Sequence, residues 1–330
     1  MIQNLSSRFK ALGLSVCFSI FSLAASTSLA QDWPSRPVKV IVPFATGGSA
    51  DVFGRIIAQR LQEALGQGFV VENRPGAGAI IGTDAVAKAA PDGYTLLVMS
   101  NTHTVNESLI ANKPFQLLRD FAPVAPINYS DLVLVTRPNL GANSLQDLLR
   151  MARSKPGGLT YASSGPGTPY HMAGELLNHL AGVRILHVPY KGSSEARTGV
   201  MSGQVEIMID AITTMTPQIK ANRVRGIGVA SDKRVTLLPD VPTLTEQGFP
   251  DTYADNWYGM LAPAKTPPAI LARLNSVVAG ALNDPSVKQK LVDSGAIPAP
   301  TTQAEFGNLL KEELARWTKI VREKGIKEPG

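Results

Sequence analysis

The chain is nearly free of cysteine: among 330 residues the only thiol is Cys17, inside an apolar stretch near the N-terminus. A chain processed after residue 30 carries no thiol, which excludes disulfides, thiolate metal sites and cysteine nucleophiles. Histidine is scarce too. His103, His171, His179 and His187 stand at no metal-ligand spacing, and no H-E-x-x-H or paired-carboxylate motif accompanies them. Phosphate and dinucleotide loops are missing. There is no Walker-type loop, and the glycines of Gly76-Ala-Gly78 and Gly82 read G-x-G-x-x-x-G, one residue too long for the dinucleotide fingerprint. Ser163 and Ser164 lack the G-x-S-x-G elbow of a nucleophilic serine. The formal charge of +6 is scattered, not striped, and part of it (Arg8, Lys10) lies near the start of the chain, which argues against nucleic acid as a partner. Beyond the N-terminus no apolar run is long enough to span a bilayer.

What is present begins with an address. Arg8 and Lys10 precede the mostly apolar Ala11–Leu23, and Ser28-Leu29-Ala30 ends in small residues. This is the pattern of a secretory signal peptide over residues 1–30, cleaved near Ala30, and it is short and poorly flanked for a membrane anchor. The mature part is large enough for two modest domains or one large one.

That part alternates between two periodicities. Strands are expected at Val38–Val42, Phe69–Glu72, Tyr94–Met99, Phe121–Ile127, Leu132–Thr136, Leu159–Ala162, Ile185–Val188, Val205–Ile209, Gly226–Ala230 and Trp257–Leu261. Helices fall between them at Ala50–Leu65, Ala79–Ala89, Ser144–Arg153, Tyr170–Ala181, Ser193–Met201 and Pro217–Ala221. Three more close the chain, Pro267–Leu282, Pro285–Ser294 and Gln303–Lys324, the last with Thr302 and Glu305 at capping-box spacing. Such alternation predicts an α/β fold with mostly parallel sheets, because parallel strands need crossover helices.

The most informative segment is Val38-Lys-Val-Ile-Val-Pro-Phe44 running into Ala45-Thr-Gly-Gly-Ser-Ala-Asp51. A buried strand passes through a small flexible turn into a helix start. Helix-start amides have no internal acceptors and the helix dipole favours negative charge there, so the turn suits a small anion held by backbone. Gly158-Leu-Thr-Tyr-Ala-Ser-Ser164 followed by Gly165-Pro-Gly-Thr168 repeats the design in the other half of the chain. Two such half-sites on two lobes can close on one ligand, although repeated βα units alone also produce the echo. His171 either hydrogen-bonds a carboxylate or braces the second turn.

Taken in order, these motifs resemble the periplasmic receptors of tripartite tricarboxylate transporters, also called the Bug receptor family. The resemblance runs from Trp33-Pro-Ser-Arg-Pro37 through Glu72-Asn-Arg-Pro-Gly-Ala-Gly78, Pro91-Asp-Gly-Tyr-Thr95, Tyr161–Thr168, His187-Val-Pro-Tyr-Lys-Gly192, Gly203–Asp210 and Leu238–Thr243 to Trp257-Tyr-Gly-Met-Leu-Ala-Pro263. It implies a two-lobed, type II periplasmic-binding-protein-like fold with the ligand cleft between the lobes. One lobe comprises residues 31–129 plus 256–330, the other residues 130–255. It implies a monomeric receptor, not an enzyme and without cofactor or metal, that closes on a small di- or tricarboxylate or related acid and hands it to membrane permease subunits. An exported enzyme acting on a carboxylate, or a module presenting its ligand to a membrane sensor kinase, are the alternatives.

By position, the resemblance assigns ligand contacts to Phe44, Thr46, Gly47, Gly48 and Ser49 on the first lobe, with Ser100, Asn101 and Thr102 on the same wall. From the second lobe it assigns Ser163, Ser164, Gly165, Thr168 and His171, and it brings Asp210 to the cleft to fix waters or to select a ligand amine or hydroxyl. Asp51 is read as an acid stabilising its own helix start, and Lys191 either as a solvated surface residue or as a partner for a distal carboxylate. Two departures stand out: Pro169-Tyr170 replaces small polar residues, and Ile209 replaces an aromatic. Tyr170 either presents its ring or hydroxyl to the ligand, in keeping with an aromatic acid, or packs outside the site.

Overall fold

The computed structural model describes residues 33–249 and 256–326. The signal-peptide segment, the cleavage site and residues 250–255 and 327–330 lie outside the described residues.

Two sheets form the framework. The first holds β1 (Val38–Val42), β2 (Phe69–Asn73), β3 (Thr95–Ser100), β4 (Phe121–Ser130), β10 (Asn256–Pro263) and β11 (Ala296–Pro298), in the order β11-β4-β10-β3-β1-β2. The second holds β5 (Leu132–Thr136), β6 (Thr160–Ser163), β7 (Leu186–Pro189), β8 (Ile207–Ala211) and β9 (Arg225–Ala230), in the order β7-β6-β8-β5-β9. Helices of the first lobe are α1 (Ser49–Leu65), α2 (Ile80–Ala87), α3 (Thr102–Leu109) and α4 (Leu117–Asp120). Those of the second are α5 (Leu145–Ser154), α6 (Pro169–Ala181), α7 (Ser193–Met201) and α8 (Ile212–Lys220). The chain closes with α9 (Pro268–Asn283), α10 (Pro285–Asp293) and α11 (Gln303–Lys324).

Both sheets are mixed, and the way they are mixed is informative. β1 pairs in parallel with β2 and β3, and β6 with β7 and β8. The reversed strands are β10, which is antiparallel to both β3 and β4, and β5, which is antiparallel to both β8 and β9, together with the short edge strand β11. β5 follows β4 after the single residue Asp131, and β10 follows the return from the second lobe. Each therefore enters its sheet from the cleft side and runs against the strands that end there. A crossover helix would have made these strands parallel; a direct crossing does not.

Side-chain alternation puts a core on each sheet face. Val38, Val40 and Val42 of β1 and Leu96 and Val98 of β3 pack with α1, α9 and α10, while Ile41, Leu97 and Met99 face Trp257, Leu261 and Phe306 on the other side. In the second sheet Leu132, Leu134, Ile207 and Ile209 face one core, and Val133, Val135 and Met208 the other. The first of those cores also takes in Val105 and Leu109 of α3 and Trp317 and Val321 of α11, so apolar packing crosses between the lobes.

The helix ends follow local chemistry. Gly66 and Gly182 cap α1 and α6 in the left-handed conformation, Ser144 and Asp284 accept amides at the starts of α5 and α10, and Thr302 with Glu305 forms a reciprocal capping box on α11. Three elements escape the sequence pattern. α3 is THTVNESL, polar along most of its length, because two buried apolar residues and its packing against α11 suffice to hold it. α4 and β11 are too short to carry a period. α8 begins at Ile212 and carries Pro217 in its interior, not at its start; the ring removes one backbone donor but the helix continues for three residues more.

The C-terminal helix is fixed to the first lobe by one buried acid. Glu313 accepts the indole N–H of Trp257 and that of Trp317 on the same oxygen, both at 3.1 Å. Glu313→Ala leaves two buried indole donors unpaired, a loss of about 2–4 kcal/mol. Urea unfolding checks this; an unchanged midpoint would show that the tether is not needed.

Candidate functional site

The cleft lies at the C-terminal ends of the parallel strands of both sheets, where strand order reverses and helices leave in different directions, the usual place for ligands in open α/β sheets. After β1 the chain turns through Pro43–Gly48 into α1. Gly47 has φ +76°, a conformation that favours glycine, and the turn it makes is closed by the Gly48 N–H to Ala45 O at 3.3 Å. No side chain caps α1. Asp51 organises the turn from within: its carboxylate accepts the Gly47 N–H at 2.9 Å and the Asn73 amide at 3.0 Å and pairs with Arg55 at 2.9 Å. Burial pushes this carboxyl up, but bonds from Arg55, Gly47 and Asn73 outweigh it and hold it below the usual carboxylate range. Its role is thus wider than helix-start electrostatics.

The second turn is built the same way. Thr168 Oγ1 donates to Gly165 O at 2.7 Å and accepts the His171 N–H, capping α6. Ser163 Oγ accepts the Gly165 N–H at 3.1 Å and lies 2.6 Å from His187 Nε2. His171 Nδ1 accepts the Gly167 N–H at 3.2 Å, and its ring leans on His187 with centroids 4.2 Å apart. Burial pushes His171 down to about 4; burial, then the neighbouring His171, pushes His187 down to about 3. Both rings are neutral at pH 7, as an accepting Nδ1 requires. Of the two readings of His171, the geometry gives the brace. The Ser163–His187 contact has the spacing of a nucleophile and its base, but Ser163 is wholly buried and does not line the cleft.

Between the turns lies a small cavity of about 20 Å3, lined from the first lobe by Phe44, Ala45, Gly48, Ser49, Ala50, Ser100, Thr102 and Tyr258, and from the second by Ser164, Thr168, Pro169, Tyr170 and Ser193. Four helix N-termini meet here, those of α1, α3, α6 and α7. The lining contains eight hydroxyl groups and no acid, lysine, arginine or histidine. Seven of the residues assigned from sequence are on this wall: Phe44, Gly48, Ser49, Ser100, Thr102, Ser164 and Thr168. The other seven are not. Thr46 and Gly47 sit at the rim, Asn101, Ser163 and Gly165 shape the turns, His171 braces from behind, and Asp210 is paired elsewhere.

Asp210 is fully buried, 3.0 Å from Arg197, and accepts the Ala211 N–H at 2.8 Å and the Thr214 hydroxyl at 3.2 Å. Burial pushes its carboxyl up, and Arg197 and these donors offset this only in part. Arg197 carries the pair across the cleft, where Nη2 donates to Gly47 O at 3.0 Å. Beside it Ser194 Oγ donates to Thr46 O at 2.9 Å, and the Tyr170 and Tyr258 hydroxyls meet at 3.3 Å. The lobes are therefore joined over the cavity. Sequence reasoning missed Ala45, Ala50, Ser193, Ser194, Arg197 and Tyr258. A signal existed for three of them: Pro189-Tyr-Lys-Gly192 leading into Ser193 is one more strand–turn–helix start.

The chain matches the family model "Tripartite tricarboxylate transporter family receptor" over residues 53–326. It is 36% identical to protein BugT of Bordetella pertussis, across 98% of this chain and 99% of that one. It is 38% identical to a UPF0065 protein of the tcbD-tcbE intergenic region of Pseudomonas sp. strain P51, across 98% and 96%. Among solved structures it superposes on an R. palustris protein solved with adipate (TM-score 0.87, 34% identity, 90% of this chain and 100% of that one). It also superposes on MatC of Rhodopseudomonas palustris with bound malate (TM-score 0.84, 34% identity, 88% and 100%). The chain belongs to the tripartite tricarboxylate transporter receptor family. It has the family's two-lobed fold of periplasmic binding proteins, and its relatives of this kind are receptors, not enzymes.

Two outcomes follow from the buried charges. Arg197→Met strands the Asp210 carboxylate in the interior, and a broken buried pair costs about 3–5 kcal/mol; a melting temperature equal to wild type would contradict this. His103 is also pushed down by burial, to about 4. All three depressed histidines stay neutral in the fold while the unfolded chain takes up protons below pH 6.5. Stability therefore falls as pH drops from about 6.5 to 4 and is regained above that window. Chemical denaturation across pH 4–8 measures this, and His187→Gln flattens the slope.

Proposed function

We propose that this protein is a periplasmic receptor that captures a small organic carboxylate by closure of two lobes, residues 31–129 with 256–330 and residues 130–255, and delivers it to the permease subunits of a tripartite transporter. The observation that carries this reading is the convergence of four helix N-termini on a hydroxyl-lined cavity free of charged side chains. Amides and hydroxyls satisfy a carboxylate without a permanent cation, which suits capture and release. Adipate and malate in the two solved relatives support the ligand class. The N-terminal signal pattern supports export, with cleavage near Ala30.

In this reading an acid first meets α1 and α3, through Gly48, Ser49, Ser100 and Thr102 beside Phe44. The second lobe then adds Ser164 and Thr168. Thr46, Gly47, Asn101, Ser163, Gly165, His171 and Asp210 hold these donors in place. Closure is favoured by contacts that exist only when the lobes meet, namely those of Arg197 and Ser194 with the first turn. A micromolar complex, about −8 kcal/mol, is enough to scavenge and still release.

Calorimetry with malate and adipate tests the reading directly: at least one binds, and a hundredfold excess over Kd stabilises the fold by about 3 kcal/mol. Absence of binding by either acid, and by other organic acids in a thermal-shift panel, would count against it. Gly192→Val tests closure. Gly192 is extended, which suits valine, but a Cβ there falls 2.4 Å from Ala45 Cβ across the cleft. The variant folds as wild type yet loses at least tenfold in affinity; wild-type affinity would show that the lobes need not approach this closely.

A further inference from the structure

We infer that Tyr170 is the length gauge of the site, restricting the receptor to short-chain carboxylates; this deepens the carboxylate-receptor reading and rests on it. Pro169 and Tyr170 open α6 against the cavity, and both line it. Proline has no backbone N–H, so the first residue of α6 offers the ligand no amide. His171 N–H is engaged by Thr168. The second-lobe helix start is therefore poorer in backbone donors than that of α1, which lacks any side-chain cap. Tyr170 supplies a phenol in the same place.

That phenol spans the cleft. Its hydroxyl lies 3.3 Å from the hydroxyl of Tyr258, which belongs to the first lobe and stands opposite Ser100 in the β10–β3 ladder. Tyr258 is held in turn by Phe53, ring centroids 5.2 Å apart. Both tyrosines are almost completely buried, 4% and 3% exposed. Burial pushes both phenols up, so each keeps its proton and is a donor. When one hydroxyl donates to the other, the second proton has Ser49 and Asn256 beside it.

The two rings thus meet as a wall between the lobes and set how far a ligand chain extends. Little space is left beside them: the cavity of about 20 Å3 holds one or two waters. A compact acid needs less separation of the lobes than a long one. A longer chain has to separate the phenols, losing their mutual bond and the fit of Tyr258 on Phe53. Arg197, which reaches across the cleft, is engaged with Asp210, Gly47 and Ser194 and is not free to meet a distant carboxylate.

The test is calorimetry with the linear dicarboxylates malonate, succinate, glutarate, adipate and pimelate on wild type, Tyr170→Ala, Tyr170→Leu and Tyr170→Phe. Wild type favours malonate or succinate over adipate and pimelate by at least tenfold. Tyr170→Ala removes a ring, opening space of the kind a benzene fills, and shifts the ranking toward adipate and pimelate by at least tenfold. Tyr170→Leu keeps apolar bulk in the core and serves if alanine prevents folding; it shifts the ranking in the same direction. Tyr170→Phe keeps the wall but not the hydroxyl, so affinity falls for every acid while the ranking stays. If wild type binds these acids but the Ala and Leu variants keep its ranking, the gauge is wrong and the carboxylate reading stands. If wild type binds no carboxylate at all, both fall.

Discussion

Everything at this site depends on backbone amides that helices cannot satisfy for themselves. A helix start leaves several N–H groups without an internal acceptor. In this molecule four such starts face one small volume, and hydroxyl side chains fill the gaps between them. Partial positive charge is therefore supplied by the fold itself. The alternative, a buried lysine or arginine aimed at the ligand, would have to stay desolvated whenever the cleft closes without one. The ionic groups that do occur nearby are paired away from the wall: Asp51 with Arg55, and Asp210 with Arg197.

Much of this was legible in the sequence because βα units advertise themselves. A β-branched run, a glycine turn and an amphipathic helix each carry a local signature, and Val38–Val42 into Ser49–Leu65 carries all three. Capping chemistry was equally local, as Thr302 and Glu305 show. The family resemblance added the return of the chain to the first lobe, which no local pattern encodes. Seven of the fourteen assigned residues reach the cavity wall, and those that do not belong to the same turns. Sequence position selects the turn; backbone geometry then decides which residue of the turn faces inward.

What stayed hidden is long-range. Arg197 is one charged residue on an ordinary helix until Asp210, Gly47 and Ser194 surround it. Tyr258 reads as a core aromatic of a central strand, and only its position opposite Ser100 brings its hydroxyl to the cleft. α3 is nearly invisible because its burial comes from α11, far away in the chain. Asp210 shows the reverse case: a lone acid at a strand end invites a role at the ligand, but a fully buried carboxylate needs a partner first, here Arg197.

The single residue between β4 and β5 has a mechanical consequence. A join this short has no slack, so the lobes cannot separate as beads on a flexible linker do. An acid resting on one lobe therefore sees the donors of the other at an effective concentration fixed by the joint and not by diffusion. In the proposed closure, capture becomes a chelate reaction: the second set of contacts forms within one molecule, and its strength is multiplied rather than added. Blocking either jaw then removes more affinity than that jaw holds alone.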